Sequence, residues 1–109
     1  MTNITLTPDQ KRLTKMLKAL GNPIRFQIVE FLAENQMCIT NDIVRHLPLA
    51  QSTVSQHLKV LREAGLIKGE IEGPATCYCL DGEGVQWLKG QVGRWLPDCC
   101  SPEKPLFNL

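Results

Sequence analysis

The sequence predicts a mainly α-helical domain with a small β-hairpin, and three observations carry that expectation. Residues 40–66 read as a short helix, a tight turn at Pro48-Leu49-Ala50, and a longer second helix from Gln51 stopped by Gly65. Immediately afterwards Leu66–Ile71 and Ala75–Leu80 change to strand-like patterning around Gly73-Pro74, as two strands joined by a turn do. Stretches on either side repeat apolar residues at helical spacing. A hairpin directly after the second helix of a helix-turn-helix is a wing, so the expected architecture is a winged helix-turn-helix.

Each element has local support. Thr7-Pro8-Asp9-Gln10 opens a helix: Thr7 can cap, Pro8 suits the first helical position, and Gln10 completes a capping box. Leu13, Met16, Leu17 and Leu20 then form one apolar face, Lys11, Arg12, Lys15 and Lys18 a solvated one, and Gly21 ends the helix. Asn22-Pro23 starts the next helix in the same way, with Ile24, Ile28 and Leu32 as its spine. Phe26, Val29 and Phe31 broaden that face towards full burial. Arg25 stands in the first turn, where its charge opposes the helix dipole. A phosphate or carboxylate partner and a plain surface arginine both remain open there. Gln36–Ile39 reads as a brief strand, and Thr40 with Asp42 opens the first helix of the motif. Asp81 caps a last helix with Val85, Leu88, Val92 and Leu96 on one face, Trp87 and Trp95 as added bulk, and Pro97 as its stop. Gly84, Gly90 and Gly93 weaken it by about 1 kcal/mol each relative to alanine, so it depends on packing against something, a second copy included.

Composition bounds what this domain does. The 109 residues, 43% of them hydrophobic, support one compact domain over residues 1–97, followed by a turn-rich, mobile Cys/Pro-containing tail over 98–109. No apolar run approaches the ~20 residues that span a bilayer. Met1-Thr2-Asn3-Ile4-Thr5 lacks the regions of a signal peptide, so a cytoplasmic location without membrane partners is expected. The net charge of only +1 means that nucleic-acid affinity must come from local clustering, paired copies or short-range hydrogen bonds. Five cysteines, an odd number in a chain without an export signal, predict reduced thiols used for metal or redox chemistry.

The second helix of the motif states the chemistry. Val54, Leu58 and Leu61 make a narrow inward stripe, leaving Gln51, Ser52, Ser55, Gln56 and Lys59 outward. Amide side chains read adenine edges, while lysine and hydroxyls hold phosphates, so this face suits the groove of double-stranded DNA.

The element order, with Ala19-Leu20-Gly21-Asn22-Pro23-Ile24-Arg25 and the run from Leu49 to Leu66, resembles the ArsR family of winged-helix repressors over nearly the whole chain. The resemblance implies a homodimer paired through the first and last helices that leaves operator DNA when an inducer binds. It implies that Gln51, Ser52, Thr53, Ser55, Gln56 and His57 enter the major groove, with Lys59 and Arg62 on the same helix. The hairpin from Lys68 to Thr76 would reach a neighbouring groove or backbone. Ala50 departs from the pattern, standing where the family often has a serine cap, at a cost of ~1 kcal/mol.

The resemblance does not choose the inducer. His46 and His57, the two histidines, both fall in the helix-turn-helix, so a zinc site on the last helix is not expected. Cys77 and Cys79 are two apart on a strand and project from one face, while Tyr78 and Leu80 take the core-facing parity. If the Cys38 strand pairs with the wing, as in winged-helix folds, three thiolates converge on a site suited to arsenite, antimonite or another soft ion. That cysteine pattern resembles arsenic-responsive members. Cys99-Cys100 offers an alternative pair that resembles another arsenic-sensing subgroup, with its third ligand missing from the tail. A persulfide or redox sensor needs only two thiols. No cofactor is expected to be required for DNA binding. A thiol enzyme is disfavoured because no phosphate cradle or nearby base accompanies any cysteine. A winged-helix interaction module without DNA binding is a further alternative that the near-neutral charge leaves open.

Overall fold

The computed structural model describes residues 4–35, 48–72 and 75–97. Among these, the chain runs α1 (Pro8–Leu20), α2 (Pro23–Asn35), α3 (Gln51–Glu63), β1 (Ile67–Glu72), β2 (Ala75–Leu80) and α4 (Gly82–Trp95). The expected Gln36–Ile39 strand, the helix opening at Thr40, the hairpin tip and the 98–109 tail lie outside the described residues.

The helix starts follow from their first residues. Thr7 Oγ1 accepts from Gln10 N at 3.2 Å, and Thr7 N donates to Gln10 Oε1 at 2.9 Å, closing the capping box of α1. Asn22 Oδ1 accepts from Ile24 N and Arg25 N at 2.9 and 3.2 Å, and so caps α2. Asp81 Oδ1 accepts from Gly84 N at 3.1 Å at the start of α4. α3 starts at Ala50 without any side-chain cap. Gly21 closes α1 with φ −75°, so the turn there does not use a left-handed glycine.

Gly65 is different. Its φ of 83° lets Leu66 N donate to Leu61 O at 3.1 Å and Gly65 N to Arg62 O at 3.0 Å, a Schellman stop for α3. Leu61 and Leu66 are both buried beside this turn. Leu66 O then accepts from Asp81 N at 2.9 Å, tying the base of the hairpin to the start of α4.

One core joins these elements: Met16 and Ala19 of α1, Ile28 and Leu32 of α2, Val54, Leu58 and Leu61 of α3, then Ala64, Leu66 and Ile67. Tyr78, Leu80, Trp87 and Leu88 pack against it while partly buried. The inward stripe of α3 is therefore as expected. The broad burial of α2 is not: Phe26 is 53% and Phe31 37% exposed. Ile28 and Leu32 suffice to fill the space facing α1 and α3, so the flanking aromatic rings turn outward. The hairpin is antiparallel, with Ile67 opposite Leu80, Lys68 opposite Cys79, Gly69 opposite Tyr78 and Glu70 opposite Cys77.

Candidate nucleic-acid interface

Burial of Val54, Leu58 and Leu61 sets the rotation of α3. It leaves Gln51, Ser52, Thr53, Ser55, Gln56, Lys59 and Arg62 exposed. A helix with that surface offers amide and hydroxyl hydrogen-bonders along its first turns and two cations further along. The hairpin follows within a few residues and presents exposed Lys68 on β1. Thr76 sits in β2 opposite Ile71. The Gly65 turn thus joins this helix directly to the hairpin.

His57 differs from the other groove-facing candidates. It is half-buried, and its Nδ1 lies 3.2 Å from Arg25 Nη1. The guanidinium donates from Nε to Ala19 O at 2.7 Å and from Nη2 to Lys18 O at 3.5 Å. Arg25 thereby places a cation on the carbonyl end of α1, which the helix dipole favours, and ties that end to the middle of α3. Because arginine only donates, the contact is a hydrogen bond in the tautomer whose Nδ1 accepts. Sequence reasoning noticed that Arg25 was misplaced in its own helix but not that it served the preceding one. Arg12 is likewise more than a solvated cation, lying 4.1 Å over the Trp87 ring.

The cysteines divide. Cys77 and Cys79 share the strand face of Lys68, opposite the face on which Tyr78 and Leu80 pack on the core. Cys77 is free, whereas Cys79 is disulfide-bonded. That departs from the expectation of reduced thiols throughout, which rested on the odd cysteine count and the lack of an export signal. Cys38, Cys99 and Cys100 lie outside the described residues. Among the described residues, no cluster of three or more His, Cys, Asp or Glu could hold a metal ion.

Residues 22–68 match the model of bacterial regulatory proteins of the arsR family, a span from the α2 cap to the start of the hairpin. The arsenical resistance operon repressor of Staphylococcus xylosus is 30% identical over 78 residues, covering 72% of this chain and 74% of that protein. The chain belongs to the ArsR family. The HTH-type transcriptional repressor SmtB of Mycobacterium tuberculosis is 42% identical over 66 residues, which cover 61% of this chain. The match spans about half, 48%, of the length of SmtB. A solved structure described as a possible transcriptional regulator for arsenical resistance superposes with a TM-score of 0.66 at 32% identity, over 74% of this chain and 83% of that one. These ArsR-family relatives are transcriptional regulators rather than enzymes. Among the described residues, no helix is long and apolar enough to cross a membrane.

Proposed function

We propose that the chain is a homodimeric transcriptional repressor that reads an inverted-repeat operator and releases it when an inducer engages its thiols. The exposed hydrogen-bonding face of α3 supports the DNA-reading part, and its family membership gives that face a precedent. Gln51, Ser52, Thr53, Ser55 and Gln56 enter the major groove; Lys59, Arg62 and Lys68 hold phosphates, and Thr76 approaches the backbone. His57 contributes by fixing α3 against Arg25. Pairing through α1 and α4 is supported by the apolar surface they leave uncovered, Trp95 at 57% and Leu96 at 59% exposure. Between them Leu13, Gln91 and Trp95 help line a cleft of about 320 Å³.

The observation that carries the thiol input is the placement of Cys77 and Cys79 on the hairpin face that the core does not use. With Cys38, the reduced pair forms a three-thiolate site for arsenite, antimonite or another soft ion, and Cys99 with Cys100 is the alternative pair. Ligation shifts the dimer towards a state whose recognition helices no longer match the half-site spacing, or moves the hairpin off the DNA. The disulfide at Cys79 favours a second reading, redox or persulfide sensing. In its peroxide form two thiols lose two electrons and two protons, and hydrogen peroxide leaves as two waters.

A gel shift on the DNA upstream of its own gene tests this, with the reduced protein titrated with arsenite, antimonite, zinc, cadmium, persulfide and peroxide. Cys77→Ser and Cys79→Ser are expected to abolish release, and Cys99→Ser/Cys100→Ser to leave it intact. Normal release from the first two variants would remove the hairpin sensor. Lys59→Ala should weaken binding about equally across sequences and lower the salt slope by about 0.9.

A further inference from the structure

Between the C-terminal halves of α1 and α3 lies a recess of about 320 Å³ whose lining includes Lys15, Lys18, Arg25 and Glu63 above Ala19 and Val60. Three cations meet one carboxylate there, in a chain whose net charge is only +1. Val60 adds an exposed apolar contact, 39% accessible. A recess of this size is at the small end of ligand sites, room for a compact molecule rather than a large cofactor. Its excess of two positive charges is matched by a dianion.

Arg25 makes the recess more than a pair of surface lysines. Its guanidinium is held by Ala19 O at 2.7 Å and lies 3.2 Å from His57 Nδ1, so its position is set before any ligand arrives. Five N–H groups leave the fork donors to spare for an oxyanion. The recess also sits beside the last turn of α3, at Val60 and Glu63. A recognition helix meets bases through its N-terminal residues, which places this end away from the groove. A diffusible molecule fits that location better than the duplex backbone.

We propose that this recess binds a small phosphate monoester dianion, and that Arg25 conveys its occupancy to the recognition helix through His57. The ligand's oxygens draw on the same guanidinium that engages His57, so binding loosens the contact that positions the middle of α3. Operator and anion then oppose each other, and each lowers the other's affinity by the same factor. This rests on the repressor reading for its DNA arm but not on the cysteines.

The test uses the full chain with its thiols kept reduced. Inorganic phosphate or glycerol 2-phosphate is titrated at ionic strength held constant with sodium chloride. The unfolding midpoint reads binding, and fluorescence anisotropy reads affinity for the DNA upstream of the gene. The expected result is a saturable rise in midpoint and a fall in operator affinity of about five-fold or more. Both responses disappear in Lys15→Ala/Lys18→Ala. His57→Leu keeps the rise in midpoint but loses the ligand-dependent change in operator affinity. Failure of the protein to bind its upstream DNA at all would overturn the repressor reading, leaving the midpoint arm to judge the anion site alone. A midpoint that responds equally to chloride, or equally in the double lysine variant, overturns the site. Saturable binding without any change in operator affinity overturns the coupling. A lower salt slope for operator binding in the double variant, measured without phosphate, would assign the lysines to the DNA backbone and sink the proposal.

Discussion

α3 and α4 are nearly the same length, 13 and 14 residues, yet one buries its apolar stripe and the other leaves its own half-covered. α3 buries Val54, Leu58 and Leu61, ends in a fully hydrogen-bonded turn and turns only polar side chains and Val60 outward. α4 buries only Gly84, leaves Val85, Leu88 and Val92 half-covered, and ends with Trp95 and Leu96 in the open. A helix with an apolar stripe is stabilised mainly by what covers the stripe. α3 is thus anchored within its own chain, whereas the apolar stripe of α4 is left unfinished there.

Four substitutions sharpen or break that contrast. Leu61→Ala should cost about 2–5 kcal/mol in urea unfolding, because it empties a fully buried site in the α3 stripe. A loss under about 1 kcal/mol would mean that α3 is not anchored by this stripe. Gly84→Ala should cost about 1–3 kcal/mol, since an added Cβ would overlap the Gly65 carbonyl oxygen and the chain must shift. Ala50→Ser should gain about 1 kcal/mol by supplying the side-chain cap that α3 lacks. An unchanged midpoint there would show that the backbone at residue 50 cannot orient the hydroxyl. Trp95→Ala should change the stability of a dilute protomer by no more than about 0.5 kcal/mol, because the ring is largely exposed. Its effect belongs in sedimentation, as weaker self-association; equal sedimentation for both proteins would contradict the unfinished-helix account.

The parts of the fold legible in the sequence were those governed by neighbouring residues. Thr7 with Gln10, Asn22 before Pro23, and Asp81 before Gly84 each cap a helix through contacts two or three positions away. The period-three-and-four stripe of α3 and the alternating parity of Cys77-Tyr78-Cys79-Leu80 are similarly local. What the sequence hid depends on tertiary geometry. Arg25 meets His57 across 32 positions, and nothing in either residue's surroundings announces the partner. Phe26 and Phe31 look like core residues by type and spacing, yet Ile28 and Leu32 fill it while Ile24 and Val29 pack at its edge. The exposed polar face of α3 could be read because it is what remains once the stripe is assigned. The disulfide at Cys79 could not, because a disulfide is set by tertiary geometry.

The close approach of Gly84 to Gly65 has a mechanical consequence. With no side chain between them, the start of α4 rests directly on the backbone that terminates α3, and the Asp81–Leu66 hydrogen bond pins the same spot. From Gly84 to Trp95 the helix extends about 17 Å, so a tilt of about 10° about that fulcrum carries its free end roughly 3 Å. Leverage runs both ways: a few ångströms of adjustment at the exposed end become a small, geared rotation where α3 stops.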